Sequence, residues 1–111
     1  MKWPRLIAPW ACRVPVTLRL TRGVGEDGAP QAAPPIQALC SLDERQHQVL
    51  DKERRMVRLA AVLLFDGDPA PGMAEIAGRV ELADGRCWDI LRAERARDPD
   101  GGVNYTRLEV F

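Results

Sequence analysis

Aromatic side chains, serine and histidine are scarce in this chain, and their scarcity limits the chemistry that the sequence can support. Aromatic residues make up 5% of the 111 residues, so the core must be mostly aliphatic. Ser41 is the only serine, and His47, the only histidine, stands among polar neighbours that are typical of a solvated side chain. Nucleophilic catalysis needs a nucleophile beside an oriented base. We therefore expect no catalytic residue and no enzymatic activity.

The three cysteines, Cys12, Cys40 and Cys87, include no Cys-x-x-Cys pair and are odd in number. This pattern predicts neither a disulfide framework nor a metal site, and it fits a reducing cytoplasm. All three fall in strand-like segments, where a thiol behaves as a small apolar side chain. We expect no cofactor and no bound metal.

Charge is balanced overall, with 16 basic and 16 acidic residues, which argues against a dedicated nucleic-acid-binding protein. It is unevenly spread along the chain. Residues 1–35 carry five basic and two acidic side chains, whereas residues 66–111 carry ten acids and six arginines. A molecule with one positive and one negative flank can associate head to tail. No apolar run approaches the ~20 residues that a membrane-spanning helix needs.

Three short motifs suggest ligand sites, and each has a simpler interpretation. The spacing Gly23-x-Gly25-x-x-Gly28 matches a dinucleotide-binding fingerprint, but the prolines within 30–35 exclude the helix that must follow it. We therefore interpret residues 23–35 as a long loop. Asp66 and Asp68 lack a spaced third ligand, so a turn is favoured over a cation site.

The basic residues within 52–58 alternate with acids, as is normal for a solvated surface. A surface that faces nucleic acid is the alternative interpretation of this run, since arginine suits phosphate.

Apolar residues recur at every second position in several segments, which predicts antiparallel β-structure. The pattern is clear over 13–22, 36–42, 76–82 and 103–111. Around Asp84-Gly85 a three-residue loop, 83–85, pairs Val80 with Trp88 and keeps the apolar sides in register. We therefore predict a bulged hairpin with Gly85 in the left-handed conformation and Trp88 buried.

Residues 41–64 fit two patterns equally well. A capping box at Ser41 and Glu44 and a helical apolar stripe favour a helix, and local propensity alone selects it. The alternation of Val57, Leu59 and later residues up to Phe65 favours a buried strand instead.

Several segments together resemble the head-closure proteins of long-tailed bacteriophages, also called head–tail joining or stopper proteins. The likeness covers about residues 36–111 and is clearest after residue 62. It is carried by Leu64-Phe65-Asp66-Gly67-Asp68-Pro69-Ala70-Pro71, Ala77-Gly78-Arg79-Val80, Trp88-Asp89-Ile90 and the Pro-Asp-Gly turn with its following strand, residues 98–110.

This resemblance implies a small, mainly antiparallel all-β barrel of SH3-like or OB-like kind, with strands and a hairpin over 41–64. The chain would then consist of an N-terminal arm, 1–11, and one barrel domain, 12–111, with the long loop 23–35. By resemblance, copies of the protein form a ring, usually dodecameric, in the neck of the virion. The ring joins the portal or adaptor to the tail or tail terminator, helps to retain packaged DNA, and is made in the cytoplasm of the bacterial host.

Within this hypothesis, Trp3, Trp10, Arg13 and Arg19 are candidate residues of a subunit or partner interface, because tryptophan is enriched at interface hot spots. The loop residues Gly25, Glu26, Asp27 and Gly28 are candidates for a loop that faces the channel and touches DNA only non-specifically. A phage adaptor or tail terminator is the nearest alternative. A separate SH3- or OB-like module that binds peptide or single-stranded nucleic acid is another, and it would need exposed aromatic side chains.

Overall fold

The fold is all-β and mainly antiparallel, in agreement with the expected fold class. The computed structural model describes residues 4–24 and 30–111. A short 3-10 helix, Pro9–Ala11, precedes the strands β1 (Val14–Val24), β2 (Pro30–Ala32), β3 (Ile36–Leu50), β4 (Met56–Asp66), β5 (Gly78–Leu82), β6 (Cys87–Arg97) and β7 (Val103–Val110).

Six of these strands close into a barrel in the order β1-β3-β4-β7-β6-β5, and β2 lies at the edge of β1. Closure occurs because β1 pairs on both sides. Val14–Leu18 pair with β3, and Val16–Leu20 pair with β5. Pro15 lies one residue before the pairing with β5 begins, so its missing N–H falls outside that ladder.

Alternating side chains of the barrel strands fill the interior, mostly with aliphatic residues, and β6 contributes partly buried ones. Side chains in a strand point to opposite faces in turn, so each strand has one row that faces the core. The largest fully buried side chains are Phe65, Leu18, Leu20, Leu63, Leu108, Val80, Val110, Thr106 and Cys40.

The β5–β6 hairpin has the register that the sequence predicts. Val80 lies opposite Trp88, and Glu81 lies opposite Cys87. The Leu82 N–H donates to the Arg86 carbonyl at 2.8 Å, which closes a three-residue loop. Gly85 has a φ of 95°, the predicted left-handed conformation. The expected burial of Trp88 is only partial, since its side chain is half-buried and packs against the core.

The helix that local propensity favours over 41–64 is wrong, and the strand interpretation is confirmed. β4 lies between β3 and β7, and its inward residues Leu59, Ala61, Leu63 and Phe65 are all buried. Because these alternate residues complete the barrel wall, tertiary packing overrides helix propensity. A one-residue bulge between Glu44 and His47 shifts the register of the β3–β4 pair.

The predicted loop 23–35 begins too early and is interrupted by a short strand. β1 continues to Val24, and β2 pairs with it through Thr21–Ala32 and Val24–Pro30. A strand can form here despite the prolines, because Pro30 occupies the first position of an edge strand, where its lack of an N–H is tolerated. The candidate channel residues Gly25, Glu26, Asp27 and Gly28 lie outside the described residues.

The described part of the predicted arm lies against the end of its own barrel. Asn104 on β7 accepts a hydrogen bond from the Leu6 N–H at 2.9 Å and donates to the Pro4 carbonyl at 3.0 Å. Arg5 pairs with Asp66 at the end of β4. Asn104 is a buried polar residue, so these bonds satisfy its amide and fix the start of the described chain.

Candidate interaction surface

The outward side chains of β1, β3 and β5 form one continuous surface, which we call the β1 face. It consists of Pro15, Thr17, Arg19, Gln37, Leu39 and Glu81, all on the side of these strands that faces away from the core. The three strands are adjacent because β1 pairs with both neighbours, so residues far apart in the sequence share this surface.

A shallow groove of about 530 Å³ runs across the β1 face and ends at Ala83. Leu39 is 57% exposed in this groove, although it is a leucine on a barrel strand. Its partner across the β1–β3 ladder is Pro15, which is also exposed. The two side chains place an apolar pair in solvent at a position where a barrel surface is normally polar.

Two of the four predicted interface residues, Trp10 and Arg13, adjoin each other at one end of this face. Trp10 is 73% exposed, and the Arg13 Nε donates to its carbonyl at 2.9 Å. Arg19 lies six residues further along, which is about 20 Å in an extended strand. Trp3 lies outside the described residues. The structure thus brings three predicted residues onto one side of the molecule but does not bring Arg19 into contact with the others.

Arg19 has a partner that the sequence did not single out. Its Nε donates to Glu81 Oε1 at 2.6 Å across the β1–β5 pair. No donor from the described part of the chain reaches the second oxygen of Glu81. Leu39 was missed as well, although it stands at a polar position in the alternation of Ile36, Ala38 and Cys40. An apolar residue in the outward phase of a strand was the signal that could have identified it.

A second exposed feature is the outer half of the β3–β4 hairpin, residues 47–60, which we call the ribbon. β7 pairs with β4 only over Ala61–Asp66, and β1 pairs with β3 only over Ile36–Cys40, so the ribbon lies beyond the barrel ladders. At its tip Leu50 and Met56 face each other and are 53% and 61% exposed.

The tip of the ribbon is a three-residue turn in which Arg54 has a φ of 61°, the left-handed region. Arg55 pairs with Asp51 and with Glu53, whereas Arg54 forms no ion pair with any described residue. The Arg92 Nη2 on β6 donates to the Leu50 carbonyl at 3.2 Å, and Lys52 lies 4.0 Å from Glu75. These contacts hold the ribbon over the β6 side of the barrel.

The basic residues within 52–58 therefore form a mixed, exposed surface, as the first interpretation of the sequence expected. Arg58 lines a cleft of about 490 Å³ together with Arg45, Arg86 and Trp88. The guanidinium of Arg86 lies 5.2 Å from the centre of the Trp88 ring and pairs with Glu44 and Asp84. These two carboxylates raise the pKa of Arg86, Glu44 most strongly, and Arg86 covers one face of the tryptophan.

Cys12 and Cys87 depart from the expectation that all three cysteines lie in strands as small apolar side chains. Cys12 and Cys40 are buried, whereas Cys87 is exposed, because it occupies an outward position of β6. Cys12 also lies just before β1 rather than within a strand. Burial first, and the nearby Cys12 second, raise the pKa of the Cys40 thiol to about 12. Cys40 therefore remains a neutral thiol at physiological pH and is a poor nucleophile.

His47 is exposed on the ribbon. Asp66 and Asp68, the two aspartates of the predicted turn, form ion pairs within the described part of the chain. Asp66 pairs with Arg5, and Asp68 pairs with Arg95 and accepts a hydrogen bond from the Ala70 N–H at 2.9 Å. Within residues 4–24 and 30–111, no group of three metal-ligating side chains comes together. The same residues contain no helix of the length and hydropathy that crossing a membrane requires.

No protein-family model matches this chain, and no curated protein matches it either.

Proposed function

We propose that this protein is a structural component of a bacteriophage neck, which forms a ring between the portal or adaptor and the tail. The observation that supports this most directly is the conformation of residues 41–64. The resemblance to head-closure proteins implies a hairpin there, local propensity favours a helix, and the chain has a hairpin.

The surfaces of the barrel suit such a role. Rings close through heterologous contacts, in which one patch of a subunit meets a different patch of its neighbour. The β1 face and the ribbon tip are two different exposed patches that combine apolar and charged side chains. In this proposal the protein acts by binding, without catalysis, and it resides in the neck of the virion after synthesis in the host cytoplasm.

The proposal is tested by mixing the purified protein with purified portal or adaptor rings and with tail-terminator rings. We expect light scattering and negative-stain microscopy to show a further ring stacked on the portal or adaptor. Binding only to tail rings would instead favour a tail terminator. A protein that remains monomeric and binds none of these rings contradicts the proposal.

The binding-module alternative gains little support from the exposed aromatic residues. Stacking of single-stranded bases needs open aromatic faces on one platform. Trp10 is well exposed, but Trp88 is half-buried with Arg86 over its ring, so the two do not make such a platform. Submicromolar, salt-dependent binding of a single-stranded oligonucleotide, without binding to any ring, would favour the module.

A further inference from the structure

The tip of the ribbon retains an arginine in a conformation that favours glycine. The left-handed region is energetically unfavourable for a residue with a Cβ. Arg54 nevertheless occupies it, is exposed, and has no ion-pair partner among the described residues. Strained backbone conformations cluster at functional sites, so the conformation of Arg54 makes the ribbon tip a candidate contact site.

The neighbours of Arg54 indicate the chemistry of that contact. Leu50 and Met56 flank the turn as an exposed apolar pair, and Asp51 and Glu53 lie within it. Carboxylates repel the phosphates of a nucleic acid, whereas apolar side chains beside an arginine are typical of a protein–protein interface. The ribbon tip therefore fits a protein surface with an apolar groove and an available carboxylate.

The β1 face provides such a groove. It holds the exposed pair Pro15 and Leu39, and Glu81 lines it with one carboxylate oxygen already bonded to Arg19. The second oxygen faces no donor from the described residues and is available to a guanidinium. We infer that the ribbon tip of one copy docks in the β1 face of another copy, with Met56 against Leu39 and Arg54 beside Glu81.

The positions of the two patches on the barrel make this contact heterologous. The groove lies on β1, β3 and β5, whereas the ribbon tip lies beyond the barrel ladders and leans over β6 through Arg92. The tip and the groove are therefore two different patches of one molecule. A contact of this kind propagates from copy to copy and closes into a ring when the rotation allows it. This inference rests on the proposed ring, for which it supplies the subunit contact.

The test uses two full-length variants that each disable one patch. Met56→Glu places a charge on the tip, and Leu39→Glu places one in the groove; both residues are exposed, so folding is preserved. Leu6→Glu is the matched control, because Leu6 is as exposed as Leu39 but lies on neither patch. Sedimentation velocity over a range of concentrations measures self-association.

We expect the natural chain and Leu6→Glu to form larger species as concentration rises, and each single-patch variant to associate at least about tenfold more weakly. An equimolar mixture of Met56→Glu and Leu39→Glu should form a dimer and nothing larger. The intact tip of one variant can enter the intact groove of the other, but the two disabled patches then end the chain of contacts.

The inference is overturned if the natural chain does not self-associate, if either single-patch variant associates as well as the control, or if the mixture does not recover the dimer. Arg54→Gly should weaken association about tenfold, whereas Arg54→Lys should weaken it less. Loss of duplex-DNA binding with unchanged association in Arg54→Gly would assign the tip to nucleic acid instead. Binding to portal or adaptor rings is measured separately, so a failed tip–groove contact remains distinguishable from a failed neck function.

Discussion

Three hairpins of this protein turn through the same backbone pattern, and they differ at one position. In the β5–β6 turn the Leu82 N–H donates to the Arg86 carbonyl, and the Gly85 N–H donates to the Leu82 carbonyl. The β6–β7 turn repeats this pattern with Gly101 in the same place. The ribbon turn repeats it again, but there the left-handed residue is Arg54.

The turns also differ in how aspartate supports them. Asp84 and Asp100, at the middle of their loops, each accept a hydrogen bond from the N–H two residues on. In the ribbon Asp51, which precedes the loop, accepts from the N–H groups of both Glu53 and Arg55. The ribbon turn thus achieves the same geometry with more side-chain support and with strain at Arg54. In the proposed tip–groove contact, this strained turn is the one that a second copy binds.

The largest loss of stability is expected for a substitution at Gly78. Backbone strain and lack of space act together there, whereas at Gly85 only backbone strain acts. Gly78 has a φ of 139°, and a Cβ there would lie 2.2 Å from the Arg19 carbonyl oxygen in the β1–β5 seam. Gly78→Ala combines backbone strain with overpacking against main-chain atoms, so we expect a loss of about 3 kcal/mol in the free energy of unfolding. Urea denaturation measures it. A loss no greater than that of Gly85→Ala would show that the seam yields easily.

Part of this architecture was predictable because local rules and tertiary structure agree there. The Asp84-Gly85 turn, its register and the left-handed Gly85 follow from alternation and from the freedom of glycine. The hairpin over 41–64 was not predictable from local propensity, because Val57 and Ala61 fit a helical stripe as well as the alternation of a strand. Only the pairing of β4 with β7, a strand far away in the sequence, decides between them.

The candidate surface was predictable only in outline. Trp10 and Arg13 stand out by residue type, and the structure places them beside the β1 face. Leu39 and Glu81 join that face through strand pairings that no local pattern encodes. Arg54 resembles any other charged residue of a mixed run until its backbone conformation is known.

A smaller loss is expected for Gly85→Ala. Gly85 has a positive φ, but nothing lies within 4 Å of the position that a Cβ would take. Conformational strain is then the only cost, so we expect a loss of about 1 kcal/mol in the free energy of unfolding. Thermal and urea unfolding check this value. Gly101→Ala is the matched control, since that position is equally open and should lose a similar amount.

The opposite substitution in the ribbon should stabilise the protein slightly. Arg54→Gly relieves the left-handed strain, while the added freedom of glycine in the unfolded chain cancels part of the gain. We expect a net gain of about 0.5 kcal/mol in the free energy of unfolding. Arg54→Lys retains the strain and should leave stability unchanged. If Arg54→Gly destabilised the protein as Gly85→Ala does, the contrast between the turns would not hold.

The smallest effect is a pH-dependent loosening of two of these turns. The Arg55 N–H, as the largest cause, holds the pKa of Asp51 below its ordinary value, and the Arg86 N–H does the same for Asp84. A carboxyl group whose pKa is lower in the folded state stabilises the fold above its unfolded pKa of about 3.9. That contribution is lost as the pH falls through the lower, folded value.

We therefore expect the amide proton shifts of Arg55 and Arg86, followed by NMR from neutral to acidic pH, to change with midpoints below the ordinary aspartate pKa. Asp51→Asn keeps an oxygen that can accept both N–H groups of the ribbon turn but cannot titrate. In that variant the shift of Arg55 should become independent of pH, while that of Arg86 still titrates. Midpoints at the ordinary value for both amides would mean that neither aspartate is engaged by its turn, and the difference in support between the two hairpins would then have no energetic meaning.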